Sequence, residues 1–266
     1  MTAAIYVRNL CELYDAYNRR EYVHPDPLEF LYDYDELRDR EIVGLIASSL
    51  AYGAVRQILK SVGSVLGKMD SPYLFLKRSS KGDLRETFKD FKHRFTTGDE
   101  LSTMLYGIKK TVERYGSLQE CFAQGFSSEQ GTVIPALSSF VDQLRSVFDG
   151  RPRSLLPSPD AGSACKRLNL FLRWMARRDQ VDPGGWDNIP ASRLIVPLDV
   201  HMHRISLQLG LTKRKQADLR AACEITAAFR GIEPEDPVRY DFVLTRLGIR
   251  DDLDPEEFLR SCRSDG

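Results

Sequence analysis

The chain has 266 residues, and its 38 lysines and arginines are balanced by 38 aspartates and glutamates. This length supports a substantial core and predicts one large or two small domains. A net charge of zero argues against nonspecific coating of nucleic acid by bulk positive charge. The five cysteines are scattered without a Cys-x-x-Cys pair, so neither a disulfide framework nor a structural zinc site is predicted. Reduced thiols in the cytoplasm are expected.

Apolar residues recur at spacings of three and four along most of the chain, which predicts an all-α fold. The predicted helical segments are Ile5 to Tyr17, Ile42 to Leu50, Ile58 to Leu66, Leu101 to Val112, Val133 to Leu144, Leu168 to Met175, Ile205 to Leu209, Leu219 to Phe229 and Phe242 to Leu247. Only Arg193 to Leu198 is predicted to be extended, as a connector rather than a sheet strand. Gly150 to Gly162 is the best candidate for a flexible segment, because it is rich in serine, glycine and proline.

The sequence predicts neither a signal peptide nor an apolar segment long enough to span a membrane. The first residues carry Arg8, Glu12 and Asp15, so no signal peptide is predicted. The longest apolar stretch, Ile42 to Val55, is too short to span a bilayer. A cytoplasmic protein without membrane contact is therefore expected.

Charge is unevenly distributed although its sum is zero. Segments 55–115 and 145–215 each hold 13 lysines and arginines, against 7 and 6 acidic residues respectively. Both ends of the chain are acidic. Two basic central segments fit a protein that lays its middle on a phosphate backbone, although solvated helix faces explain either excess alone equally well.

The segment from Leu194 to Ile205 gives the clearest indication of chemistry. Asp199 follows a short apolar run and is a suitable N-cap for the helix predicted after it. Lys166 stands 33 positions earlier, at the start of another amphipathic helix. A carboxylate can stabilise a cationic transition state, and a deprotonated lysine amine is a nucleophile. Either residue alone is better explained as a helix cap or a surface lysine, so the prediction of a catalytic pair depends on their combination.

A metal site is the rival interpretation of the same segment. Asp199, His201 and His203 form an Asp-x-His-x-His pattern, which resembles metal-ligand spacing. On an extended strand these side chains would share one face, but the predicted helix splays them apart. The other two histidines, His24 and His93, belong to no metal motif. A metal-dependent hydrolase is therefore the weaker alternative, and no metal is expected.

From Ile195 to about Leu247 the chain resembles the helix-hairpin-helix DNA glycosylase superfamily, which includes endonuclease III and the 8-oxoguanine glycosylases. In that superfamily a Val-Asp-Thr-His-like stretch carries the essential aspartate and leads into an arginine-containing helix that ends near Leu-Gly-Leu. This chain matches the pattern at Pro197 to His201, at Arg204 and at Leu209 to Leu211. The resemblance implies an all-α fold of two helical lobes, with a helix-hairpin-helix-like motif and an active-site cleft between the lobes.

The hairpin differs from the family form. The family has Leu-Pro-Gly-Val-Gly-x-Lys, whereas the stretch from Leu156 to Lys166 contains a single glycine, Gly162. The separation of Lys166 from Asp199 is similar to that of the archaeal 8-oxoguanine glycosylase branch, whose hairpin region carries a longer insert. The resemblance therefore implies one two-lobed domain over residues 1–266, with the hairpin and catalytic segment at 150–211.

The same resemblance assigns roles to individual residues. Lys166 would be the nucleophile, and Asp199 would stabilise the cationic sugar. Asp241 is placed like an aspartate that binds the Watson–Crick edge of guanine in the archaeal branch, although helix capping explains it equally well. Trp186, in a Pro-Gly-Gly-Trp loop, is a candidate for stacking on a flipped base. Phe171 is a weaker candidate, because its helical spacing predicts a core position.

The implied activity is that of a base-excision glycosylase with β-lyase activity on an oxidised purine such as 8-oxoguanine. Its partner would be damaged duplex DNA, bound by a monomer without a cofactor. No iron–sulfur cluster is expected, because only Cys262 lies where endonuclease III has four closely spaced cysteines. A catalytically silent DNA-binding or lesion-sensing protein on the same fold is the alternative. The further candidates for DNA contact are Tyr52, Arg56, Gly162, Arg167, His201 and Arg204.

Overall fold

The computed structural model describes residues 3–148, 154–247 and 255–262. Helices account for 61% of the residues and strands for 2%, which confirms the predicted all-α class. Within the described ranges, no helix combines the length and the apolar character needed to cross a membrane. Part of the flexible segment predicted at Gly150 to Gly162 lies outside the described residues.

The described helices are α1 (Ala3–Tyr17), α2 (Leu37–Ser49), α3 (Val55–Leu66), α4 (Pro72–Arg78), α5 (Lys81–Phe88), α6 (Gly98–Tyr115), α7 (Leu118–Gly125), α8 (Ile134–Arg145), α9 (Lys166–Ala176), α10 (Val200–Gln208), α11 (Leu219–Arg230), α12 (Asp241–Arg246) and α13 (Pro255–Ser261). Short 3-10 turns occupy Arg20–Tyr22, Pro27–Asp33, Pro159–Ala161 and Ala191–Arg193. Strands β1 (Lys92–His93) and β2 (Thr96–Thr97) form an antiparallel hairpin in which His93 pairs with Thr96.

Each of the nine predicted helical segments overlaps a helix, and the helices extend up to five residues beyond the predicted ends. The short helices α4, α5 and α7 were not predicted, because none is long enough to establish an apolar period. Each begins instead at a serine N-cap whose hydroxyl accepts a backbone N–H. At α5 this is a capping box, in which Ser80 and Asp83 satisfy each other's backbone amides.

Helix α2 lies in the centre of the core and packs closely against α9. Its residues from Glu41 to Ser49 are all buried. Gly44 permits the close approach, since a Cβ atom at this position would lie 3.3 Å from Met175 Sδ and from Phe171 Cδ2. The packing of α9 on α2 fixes the direction of the α9 axis.

Phe171 and Trp186 belong to an aromatic cluster inside this core. Both side chains are fully buried, and their ring centroids are 5.1 Å apart at nearly a right angle. Phe140 and Phe122 surround Trp186 on its other sides. This burial corrects the prediction that Phe171 and Trp186 stack on a flipped base, because neither ring has a face that a base could reach.

Glu41 satisfies the polar groups at the edge of the aromatic cluster. Its carboxylate accepts the N–H groups of Leu118 at 2.8 Å and Gln119 at 3.0 Å, which are the first donors of α7. It also accepts the indole N–H of Trp186 at 3.3 Å. Burial raises the pKa of Glu41 to about 7, although the three donors oppose the shift.

The connector from Arg193 to Leu198 is extended from Leu194 onward, as predicted, and it runs through the core. Leu194, Ile195 and Val196 are buried, and the Val196 N–H donates to the Thr226 hydroxyl of α11 at 3.0 Å. The buried connector therefore delivers Asp199 to the start of α10 in a fixed position.

Candidate active site

Two helix N-termini meet at the pair of residues that the sequence analysis selected. Lys166 is the first residue of α9, and Asp199 is the N-cap of α10. The Lys166 amine lies 3.1 Å from Asp199 Oδ2, and the two side chains are 33% and 21% exposed. The pair is thus close enough for a hydrogen-bonded ion pair while both groups stay accessible from one side.

The two oxygens of Asp199 have different partners. Oδ1 accepts the backbone N–H groups of His201 at 2.9 Å and Met202 at 2.8 Å, whereas Oδ2 faces Lys166. Burial would raise the pKa of this carboxyl. The Lys166 charge and the Met202 N–H outweigh burial and leave the pKa below its ordinary value. Asp199 is therefore ionised at neutral pH.

The turn that precedes Lys166 is tightly constrained. Cys165 adopts a left-handed conformation with φ 47°, which costs a non-glycine residue about 1–3 kcal/mol. Its thiol is buried and donates to the Pro157 carbonyl at 3.6 Å. Gly162 also has positive φ, at 75°, and its carbonyl accepts the N–H of Leu219 at 3.0 Å. These contacts tie the turn to the start of α11 and fix the point at which α9 begins.

The pair opens into a cleft of about 900 Å³, a size suited to a nucleoside-like ligand. Its lining comes from the loop before α3, the turn before α9, the connector before α10 and the helix α12. Of the predicted site residues, the lining includes Tyr52, Gly162, Lys166, Arg167, Asp199, His201 and Asp241.

One face of α9 forms part of the cleft wall. Lys166, Leu170 and Arg173 are spaced i, i+4 and i+7, and all three line the cleft. Arg173 is almost fully buried and forms an ion pair with Asp241, the first residue of α12. Asp241 therefore lies in the same cleft as Lys166 and Asp199, as its assignment to base binding requires.

Asp241 has an acceptor that no protein group uses. Its side chain is buried, and within the described part of the chain Oδ1 has no hydrogen-bond partner. Burial raises the pKa of Asp241 to about 6; the Arg173 charge opposes this shift and the nearby Asp199 charge adds to it. An unsatisfied buried acceptor in a cleft is a suitable partner for an N–H donor of a ligand.

A buried ion-pair network supports Arg173 from behind. Asp182 is fully buried between Arg173, whose Nη2 lies 3.1 Å away, and Arg177. Arg177 also contacts Asp236 at 2.8 Å. Burial opposes the charge on Arg173, but the Asp182 and Asp241 carboxylates outweigh it and raise the pKa of Arg173. The network fixes the guanidinium that holds Asp241.

A second buried ion pair, Arg246 with Asp26, joins the pair of Arg173 with Asp241 in the cleft lining; these four residues are called the charged floor. Arg246 is buried, donates to the Val23 carbonyl at 3.3 Å and pairs with Asp26. Its guanidinium carbon lies 4.6 Å from the centroid of the Phe242 ring. Both Asp26 and Arg246 line the cleft. The floor therefore carries two opposite-charge pairs rather than a uniform potential.

Tyr52 and Arg167 line the cleft, but their polar groups are engaged within the protein. The Tyr52 hydroxyl donates to the His93 carbonyl at 2.9 Å. Arg167 donates to the Ser49 carbonyl at 2.7 Å and to the Ser154 carbonyl. Its guanidinium lies 5.1 Å from the Tyr52 ring centroid. These contacts show that both residues shape the rim of the cleft, and their role as direct DNA contacts stays a prediction.

The remaining predicted DNA contacts are at the surface. His201 is exposed at the edge of the cleft, whereas the exposed Arg56 and Arg204 lie outside its lining. The Gly162 N–H, which a phosphate-binding hairpin would present outward, donates to the Pro159 carbonyl at 2.8 Å. Gly162 therefore shapes the turn rather than offering its own amide.

The three residues of the Asp-x-His-x-His pattern do not converge. His203 is buried and its Nε2 contacts the Arg214 carbonyl at 2.9 Å, while His201 is exposed and Asp199 faces Lys166. Over the residues that the structure describes, no group of three or more His, Cys, Asp and Glu side chains is arranged to hold a metal ion.

Three residues of the charged floor, Asp26, Arg173 and Arg246, were not predicted as site residues. Arg173 could have been found from its i+7 spacing to Lys166, which places it on the same helix face. Asp26 and Arg246 are 220 positions apart and meet only through the fold. No local pattern marks them.

Residues 26–250 match the model of a family described as a protein of unknown function, DUF2400. The chain belongs to the DUF2400 family. No curated protein and no solved structure matches the chain. The DUF2400 match begins at Asp26 and continues past α12, so it contains every lining residue of the cleft except Pro25.

Proposed function

We propose that this protein is a DNA base-excision glycosylase with associated β-lyase activity. The observation that carries the proposal is the contact of 3.1 Å between the Lys166 amine and the Asp199 carboxylate at the open side of a nucleoside-sized cleft. A nucleophilic amine beside a carboxylate is the combination that this chemistry requires.

The proposed reaction begins with transfer of a proton from the Lys166 ammonium, for which Asp199 Oδ2 is the acceptor at hand. The neutral amine then attacks C1′ of the damaged nucleotide, and the N-glycosidic bond breaks with its electron pair leaving on the base. Asp199 Oδ2 passes this proton to the departing base, which completes the exchange. The carboxylate, ionised again, stabilises the positive charge that the sugar carries after the base has left. Ring opening gives a Schiff base, from which β-elimination expels the 3′ phosphate.

An oxidised purine such as 8-oxoguanine is the proposed substrate. The unpartnered Asp241 Oδ1 supports this choice, because the Watson–Crick edge of guanine presents two N–H donors that a carboxylate can accept. Arg173 holds the other oxygen of Asp241, so Oδ1 is the carboxylate oxygen left to accept from a base that enters the cleft. Ile58 and Leu170 add aliphatic side chains to the lining that a base would contact.

The proposal includes a two-lobed arrangement with a helix-hairpin-helix-like element before α9. The turn from Ser158 to Cys165, pinned by the pairing of Ser163 with Asp218, is the candidate for that element. With a single glycine and an internally bonded Gly162 amide, it would contact a phosphate through side chains or through the helix N-terminus.

Borohydride trapping on oligonucleotides that carry 8-oxoguanine, uracil or an abasic site tests the proposal. Wild-type protein should form a covalent adduct with the 8-oxoguanine duplex. Lys166→Gln should abolish it, and so should Lys166→Arg, which keeps a charge beside Asp199 but cannot lose its proton to attack. Asp199→Asn should slow base release by orders of magnitude, since asparagine preserves the N-cap while removing the charge.

Each outcome has a separate meaning. An adduct that persists in Lys166→Gln would exclude Lys166 as the nucleophile. An adduct only at the abasic site would retain the lyase and reject the oxidised purine as substrate. No adduct with any oligonucleotide, together with tight binding to DNA, would reject excision through a Schiff base and favour the catalytically silent DNA-binding protein.

A further inference from the structure

The β1–β2 hairpin presents the most exposed large apolar side chain among the described residues. Phe95 is 82% exposed at the tip of a two-residue turn between His93 and Thr96. Its neighbour Arg94 has φ 53°, a left-handed conformation that bulky residues rarely adopt. An apolar aromatic held in water next to a strained residue is unfavourable for the isolated protein, which points to a role in binding.

The hairpin is held rigidly against the rim of the cleft. His93 is fully buried; its Nε2–H donates to the Tyr52 carbonyl at 3.1 Å, which leaves Nδ1 to accept from the Ser61 hydroxyl at 2.9 Å. The Tyr52 hydroxyl lies 2.7 Å from the Thr96 hydroxyl on the opposite strand. These bonds fix both strands, so Phe95 projects from an ordered support.

Arg94 connects the tip to the cleft itself. A Cβ atom on Gly53, a residue of the cleft lining, would lie only 2.7 Å from Arg94 Cδ. The side chain of Arg94 therefore lies across Gly53, next to Tyr52. Phe95 consequently stands beside the cleft mouth and outside its lining, where it would meet a duplex rather than the nucleotide inside the cleft.

The charges around the tip favour a polyanion. Lys92 and Arg94 flank the hairpin and are exposed, and exposed Lys60 lies on α3, which packs against β1. The two acidic residues that follow the hairpin are directed elsewhere, since Asp99 pairs with Arg85 and Glu100 caps α6. An exposed aromatic between cations is typical of proteins that stack on nucleic-acid bases.

We propose that Phe95 inserts into duplex DNA and stacks on the base next to a nucleotide that has left the helix. The proposal rests on the proposed function only in taking DNA as the partner. It requires no bond cleavage, so it applies equally to excision and to silent binding. Phe95 joins Tyr52 and Arg56 among the residues expected to contact DNA.

A tryptophan reporter tests the proposal in the full-length chain. Both native tryptophans, Trp174 and Trp186, are at most 1% exposed. A Phe95→Trp variant would therefore carry the only solvent-exposed indole among the described residues, and changes in its emission would report on position 95. Its emission should be quenched on titration with a duplex that carries a tetrahydrofuran abasic site, and much less by the intact duplex. Leu74→Trp is the matched control, because Leu74 is 42% exposed on α4 and does not line the cleft.

Affinity measurements complete the test. Phe95→Ala should weaken binding to the abasic duplex roughly tenfold or more, and Phe95→Tyr should restore most of it, because stacking on an aromatic ring is lost and regained. The salt dependence of binding should be unchanged, since no charge is removed. Leu74→Ala should bind as the wild type does.

The inference and the proposed function fail in different ways. Equal affinity of wild type and Phe95→Ala for the abasic duplex would overturn the inference, even if borohydride trapping succeeds. A loss of affinity in Phe95→Ala would support the inference even if trapping fails. A lysine cannot cleave the tetrahydrofuran site, so binding to it is measured independently of catalysis. Absence of any binding to DNA would overturn both.

Discussion

Removal of Asp182 tests whether the ion-pair network behind the cleft stabilises the fold. Its carboxylate is fully buried and accepts from Arg173 through Nε at 3.2 Å and Nη2 at 3.1 Å, and from Arg177 through Nη1. In an Asp182→Ala variant both guanidinium groups stay buried with one partner fewer. Arg173 retains Asp241, and Arg177 retains Asp236.

The expected cost follows from the desolvation of the two cations. Breaking a buried ion pair by removing one partner costs about 3–5 kcal/mol, because a buried charge is left uncompensated. Because each arginine keeps a second carboxylate partner, we expect the loss of unfolding free energy in Asp182→Ala to lie near the lower end of this range, at about 3 kcal/mol. Domains of this kind unfold with about 5–15 kcal/mol, so the variant should fold but melt roughly 6–12 °C lower.

Urea denaturation followed by circular dichroism measures the change. Asp182→Ala should lower the midpoint with little change in the denaturant slope. The control is Asp187→Ala in the same segment, because Arg178 and Asp187 are 3.9 Å apart and 66% and 86% exposed. This control should unfold as the wild type does. A loss below about 1 kcal/mol in Asp182→Ala would refute the reasoning, since it would mean that burying the carboxylate costs as much as its two pairs return.

Three further predictions concern single carboxylates. Asp199→Ala should lower the free energy of unfolding by about 1 kcal/mol through loss of the α10 N-cap, whereas Asp199→Asn should not; thermal unfolding distinguishes them. Because burial raises the pKa of Glu41 to about 7, the native state binds more protons than the unfolded chain, so stability should fall by up to about 3 kcal/mol from about pH 4 to pH 8. Urea midpoints measured against pH should show this fall, and Glu41→Gln should flatten it. Burial raises the pKa of Asp241 to about 6, so binding of a non-cleavable 2′-fluoro-8-oxoguanine duplex should weaken below that pH. A binding series over pH should lose this dependence in Asp241→Asn.

The sequence was sufficient for the long helices and for placing Lys166 and Asp199 at helix N-termini. Helices with three or more apolar turns, such as α6 and α9, show their period directly. The N-cap role of Asp199 and the start of α9 at Lys166 are confirmed, because helix boundaries depend on local side-chain chemistry. That the two N-termini meet could be anticipated only from the resemblance, since 33 positions and a buried connector separate them.

The error at Trp186 has its physical origin in burial, which a local sequence pattern does not report. A tryptophan after two glycines suggests an exposed loop, yet Trp186 is enclosed by Phe122, Phe140 and Phe171 because the glycines let the chain turn back onto α9. The hairpin that carries Phe95 was missed because its strands have two residues each, which is too short for an alternating pattern.

The two oxygens of Asp199 have different partners, and this difference limits which group of the Lys166–Asp199 pair can move. Oδ1 accepts two N–H groups of α10, so the carboxylate cannot turn without uncapping the helix. Lys166 carries its amine on four methylene groups and is one-third exposed, so its side chain can change rotamer at little cost. In the proposed reaction the Lys166 amine is therefore the group that moves when a sugar enters the cleft, and the Asp199 carboxylate stays in place. The ion pair can then open while the carboxylate remains beside the sugar, where it can stabilise positive charge.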